Sequence, residues 1–137
     1  VAAANNQSNT AVKPYQRGAG WWMVFWGPVV LIMAAIFTAS SLPGTSIPSL
    51  FSFQDIIFHG IIYLLLGLFF YRALKSTTNR YTVAGLVVLT VIFGGGYGLT
   101  DEFHQLFVYS RSCSGFDLTI DTIGSLLGGL AGGLFLR

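Results

Sequence analysis

The sequence predicts an all-α, polytopic membrane protein with four transmembrane helices in a compact bundle and both termini cytoplasmic. Three observations lead there. Only 9% of the 137 residues are charged while 53% are hydrophobic, and mean hydropathy is +0.68. Soluble domains carry about 25% charged residues, so a soluble chain this poor in charge would leave its surface uncovered. Four apolar runs, near 22–40, 55–74, 81–100 and 118–136, approach the length needed to cross an apolar slab of about 30 Å. Finally, six of the seven lysines and arginines fall at one side of an alternating four-span topology. The positive-inside rule makes that side cytoplasmic.

Taken in order, residues 1–20 read as a flexible polar tail, followed by one membrane domain over 21–137. No leader pattern precedes the first apolar run, so a removed signal peptide is not expected within the sequence. Trp21, Trp22 and Trp26 form an aromatic girdle, as at a membrane boundary. Gly27-Pro28 predicts a kink near the start of the first span. The loop Ser40 to Pro48 carries two prolines and a glycine, and Leu50 to Phe53 is placed in the interface. Asp55 opens the second span as an N-cap or first-turn carboxylate. Tyr71, Arg72 and Lys75 close that span. The third contains Gly85 and Gly94-Gly95-Gly96. The fourth, closed by Arg137, carries Gly124, Gly128 and Gly132 at four-residue spacing, with Gly129 and Gly133 beside them. Two faces without side-chain bulk predict close helix approach in lipid.

The functional signal is the concentration of polar residues at one end. Asp55, His59 and Tyr63 are spaced four apart and share a helix face. Asp101, His104 and Gln105 share another, with Glu102 about a quarter-turn away. Asp117, Asp121 and Ser125 make a third stripe, and Arg111 enters from the loop between, near Ser114. Charges in apolar surroundings are costly unless paired, so the three stripes are expected to turn toward one another around a cleft open on the extracytoplasmic side. His59, Asp101, Glu102, His104, Asp117 and Asp121 are the candidate catalytic residues. Asp55, Tyr63, Gln105, Arg111 and Ser114 are the candidate substrate-binding residues. Histidine suits proton transfer, and arginine suits a phosphate or carboxylate. Arg111 is equally suited to neutralising Asp101 or Asp117. No metal-ligand spacing appears, so no metal is assigned and no cofactor is identified. The lone Cys113 excludes an intrachain disulfide and has no activating neighbours. A net charge of +2 without a basic cluster excludes nucleic acid as a partner.

Two stretches closely resemble the VanZ-like family of small bacterial membrane proteins. Asp55-Ile56-Ile57-Phe58-His59-Gly60-Ile61-Ile62-Tyr63 is similar to the family's Asp-Lys-x-x-His-x-x-x-Tyr, with Ile56 where the lysine usually stands. Tyr97 to Gly124 carries Asp101-Glu102-x-His104-Gln105, then Arg111-x-x-Ser114-x-x-Asp117, with Asp121 where the family usually has asparagine. The resemblance covers about residues 50 to 130. The family takes its name from a protein associated with teicoplanin resistance. It implies a multi-pass protein of the bacterial inner membrane, and the outward-facing cleft is then expected to bind or modify a membrane lipid or a lipid-linked or glycolipid headgroup of the cell envelope. The two departures lower the positive charge available to an anionic group, unless Asp121 is protonated or pairs with Arg111. Two other classes compete: a non-catalytic accessory subunit contacting other membrane subunits, and a small proton-linked carrier. The acids sit at one end rather than across the membrane, which disfavours the carrier.

Overall fold

A computed structural model of the chain describes residues 17–46, 51 and 53–136. The described residues form helices α1 (Ala19–Phe25), α2 (Gly27–Ser40), α3 (Gln54–Thr77), α4 (Val83–Gln105) and α5 (Gly115–Phe135), with a 3-10 turn at Gly44–Ser46. The tail before Arg17 with Lys13, residues 47–50 and 52 from the loop and the stretch that follows it, and Arg137 lie outside the described residues. Three helices, α3, α4 and α5, are long and apolar enough to cross a membrane, and α1 with α2 supplies a fourth crossing if the bent pair is one span. At 1.5 Å per residue α3 runs for about 36 Å, ample for the hydrocarbon layer.

The bend in the first span is 50°. It falls at Trp26, where Gly27 and Pro28 begin α2. Proline fits the first helical turn because its missing N–H has no intrahelical acceptor there. The short α1 is bolted to the far end of α3. Trp26 Nε1 donates to Thr77 Oγ1 at 3.2 Å, Arg17 to Thr77 O at 2.8 Å, and Arg72 to Val24 O at 2.9 Å. Arg17 and Arg72 also lie over the rings of Trp21 and Phe25, at 4.3 and 4.6 Å from the centroids.

Helices α3, α4 and α5 pack through small residues. A β-carbon on Gly128 would overlap the Leu64 carbonyl, and one on Gly67 would lie 2.5 Å from the Ser125 carbonyl oxygen. The other face of α5 meets α4. Gly129 lies against Thr90, and the side chain of Ser125 fills the space left by Gly94. Both bare faces of the fourth span therefore serve close approach. The Gly94-Gly95-Gly96 run stays inside an unbroken α4, with Gly94 and Gly95 against α5 and Gly96 facing open space. Helix α2 packs differently, through Val29 and Ile36, against a cluster containing Tyr63, Leu66, Phe70 and Ala73. Tyr97 of α4 ties it in by donating to Met33 O at 2.7 Å.

At the opposite end from the α1 clamp, two connections dock. Gly44 N–H donates to Tyr109 O at 3.1 Å, and a β-carbon on Gly44 would overlap the Ser110 carbonyl. Ser110 itself adopts φ 58°, in the left-handed region. These contacts hold the α4–α5 loop against the end of α2.

Candidate functional site

Helices α3, α4 and α5 each bring one ionisable side chain to a common point. His59 lies just over a turn into α3. Its Nδ1 and Asp121 Oδ1 are 2.8 Å apart, and Asp121 is fully buried. A carboxylate only accepts, so with Asp121 ionised Nδ1 carries the proton and Nε2 is left for another partner. The pairing follows from the glycine seam. Gly60, next to His59, backs onto Gly124, where a β-carbon would stand 2.8 Å from the Gly60 carbonyl. Gly98 makes room on the α4 side, because a β-carbon there would stand 2.9 Å from Asp121 Oδ2. Glu102 completes the group at 1% exposure. Its Oε2 accepts from Ser114 N–H at 2.5 Å, while Oε1 has no hydrogen-bond partner. Asp121 Oδ2 and Tyr63 Oη are likewise buried and unpartnered.

The polar residues of α4 separate toward three neighbours. Glu102 faces the start of α5 through Ser114. Asp101 and Gln105 form a buried pair, Gln105 Nε2 donating to Asp101 Oδ2 at 3.2 Å. His104 turns to α2, stacked on Phe37 with centroids 4.7 Å apart, and its Nε2 lies 3.0 Å from Ser41 Oγ. Ser41 Oγ also donates to Phe37 O at 2.6 Å, so it accepts from His104. His104 therefore stands apart from the His59 cluster. Three positions along a helix are 60° off a full turn, enough to send His104 to a different neighbour from Asp101.

Arg111 reaches the C-terminal end of α2. It donates to the carbonyls of Leu42 and Ala39, each at 3.3 Å. A cation beside the carbonyls at this end of α2 also meets the negative end of the helix dipole. Among the described residues it forms no ion pair with Asp101, Asp117 or Asp121, and Asp121 pairs with His59 instead. Ser114 caps α5, its Oγ accepting from Asp117 N–H at 3.2 Å. Asp117 is the first-turn carboxylate of that helix, as Asp55 is of α3.

Two cavities meet at this end. One, of about 440 Å³, is a largely apolar cleft between α2 and α3 walled by Ala35, Ile36, Ala39 and Ile62, with Tyr63 and Asp101 behind. The other, of about 430 Å³, is polar and bounded by Gln54, Ser110, Ser112 and Asp117. Asp55, His59, Gln105 and Arg111 line both. The apolar wall on α2 went unread in the sequence. Its signal is the pair Ala35 and Ala39, four apart, which leaves one helix face low. The carbonyls that hold Arg111 carry no side-chain signal at all.

Chemically, an imidazole fixed by a buried carboxylate at the junction of two cavities can move a proton or ligate a metal. Arg111, Gln105 and Asp55 offer donors and an acceptor to a polar group resting in the mouth. Neither the curated proteins nor the solved structures include one that matches this chain. A family model described as VanZ/LLP1 matches residues 25–136, which takes in all of α2 through α5 and the whole polar end. This multi-pass membrane protein, with its polar residues gathered on three packed helices, belongs to the VanZ/LLP1 family.

Proposed function

We propose that the chain binds an amphiphile of the bacterial cell envelope, with a lipid-linked headgroup in the polar cavity and its hydrocarbon in the α2–α3 cleft. The observation that carries this reading is the shared wall. Asp55, His59, Gln105 and Arg111 border an apolar cleft on one side and a polar cavity on the other. A wholly polar ligand has no use for the first space, and a wholly apolar one has none for the second. Arg111 meets the headgroup, and Tyr63 and Asp101 stand at the back of the cleft. His59 is the residue placed to act on the bound group. Arg17, Arg72, Lys75 and Arg80 gather at the other end of the bundle. By the positive-inside rule that end is cytoplasmic, so the site faces the extracytoplasmic side of the inner membrane and both termini face inward.

Native mass spectrometry of protein released from bacterial membranes tests the reading. The expected result is one retained lipid class, lost in Ala39→Trp, which fills the cleft, and weakened about tenfold in Arg111→Gln, since a charge-assisted hydrogen bond is worth roughly 1.5–3 kcal/mol. Equal lipid retention by wild type and Ala39→Trp refutes it. A co-purifying membrane chain, with no retained lipid, would favour an accessory subunit.

A further inference from the structure

The donors where α3, α4 and α5 meet exceed what an acid–base pair requires. Orienting the His59 ring takes one carboxylate oxygen, and Asp121 Oδ1 supplies it. Asp121 Oδ2 and Glu102 Oε1 remain, each on a side chain at most 1% exposed and each without a hydrogen-bond partner. Two such oxygens inside a membrane-embedded bundle are unfavourable as carboxylates unless a positive charge stands beside them, whether a proton or a cation. Among the described residues no lysine or arginine pairs with either carboxylate. Arg111 is engaged by the α2 carbonyls.

The geometry admits an ion. One donor atom from each of His59, Glu102 and Asp121 lies within 4.8 Å of the other two. Bonds of about 2.0–2.2 Å to a shared tetrahedral cation hold donors about 3.4 Å apart, a gap that side-chain rotation closes. We propose that His59, Glu102 and Asp121 form a divalent-cation site, with one imidazole nitrogen and two carboxylate oxygens as ligands.

The donor set narrows the ion. One nitrogen and two oxygens without thiolate suit Zn²⁺ or Mn²⁺; Ca²⁺ takes six to eight oxygens, and Cu(I) prefers sulfur. Three protein ligands leave a coordination position open, and His59 places it beside both cavities. The ligands sit on three helices far apart in sequence, which is why no spacing motif marks them. The site does not depend on the amphiphile reading, since it is assembled by helix packing alone.

The test uses the full chain in detergent, stripped with a chelator and then dialysed separately against Zn²⁺, Mn²⁺ and Mg²⁺. Metal content is measured by mass spectrometry and stability by thermal unfolding. The expected result is about one Zn²⁺ or Mn²⁺ per chain, with Tm raised by several degrees and no such effect of Mg²⁺. Glu102→Gln and Asp121→Asn, both near-isosteric, should lower affinity at least about tenfold. His104→Ala should bind like wild type. Wild-type protein that retains no ion and shows no shift overturns the site, and this arm needs no variant to fold. Glu102→Gln binding as tightly as wild type overturns it as well. Lipid retention is scored on the same samples. Lipid without metal sinks the ion site alone, and metal without lipid sinks the amphiphile reading alone.

Discussion

Helix α3 has two unlike seams. Against α5 it meets glycine after glycine, and a single β-carbon at Gly128 would overlap backbone. Against α2 it meets larger side chains, Ile36 and Val29 among them, and the contact opens into a cleft of about 440 Å³. In lipid there is little hydrophobic drive between helices, so close backbone approach is what makes an interface firm. The glycine seam therefore fixes His59 against Asp121, while the looser seam leaves a way in. One helix carries rigidity on one face and access on the other, and the histidine sits where they meet.

The largest expected effect comes from breaking the tight seam. Gly128→Leu forces α3 and α5 apart, and no folded protein should accumulate; a monodisperse product with wild-type Tm would contradict the packing account. A smaller loss should follow from unbolting the other side. Trp26→Phe removes the bond to Thr77 that ties the α1–α2 bend to the end of α3, at a cost of about 0.5–1.5 kcal/mol in unfolding free energy. The least effect on stability is expected for Ala35→Phe, which narrows the cleft from its rim. Stability should stay within about 0.5 kcal/mol of wild type while lipid retention falls. A large stability loss there would mean the α2–α3 seam is as tightly packed as the glycine one.

Much of the fold is legible in the sequence. Charge poverty and the apolar runs give the helices, Gly27-Pro28 gives the bend, and the spacing of Gly124, Gly128 and Gly132 gives the close seam. The Asp55-to-Tyr63 and Tyr97-to-Gly124 stretches give the family. The site was less legible, for a geometric reason. Helical spacing fixes the angle between two side chains on one helix but not which neighbour fills each sector. Asp101 and His104 looked like companions, yet one faces the cleft and the other stacks on Phe37. Glu102 looked turned away, yet its sector is where α5 and His59 lie. Of the two roles the sequence leaves open to Arg111, neutralising Asp101 or Asp117 gives way to the carbonyls at the end of α2. Backbone acceptors exist at every residue, so a sequence cannot single them out.

The bend at Trp26 also bears on the bilayer. The seven residues of α1 and fourteen of α2 would together reach about 32 Å if collinear. Turned aside by 50°, α1 adds only about 7 Å to the roughly 21 Å of α2. Lipid beside α2 thus meets a shorter apolar belt than lipid beside the about 36 Å of α3. A bilayer accommodates such a mismatch by thinning locally, at a fraction of a kcal/mol per Å. Where α1 and α2 make one span, that thinning falls at the bend, beside Arg72 and Thr77, in the leaflet away from the two cavities that Arg111 and His59 line.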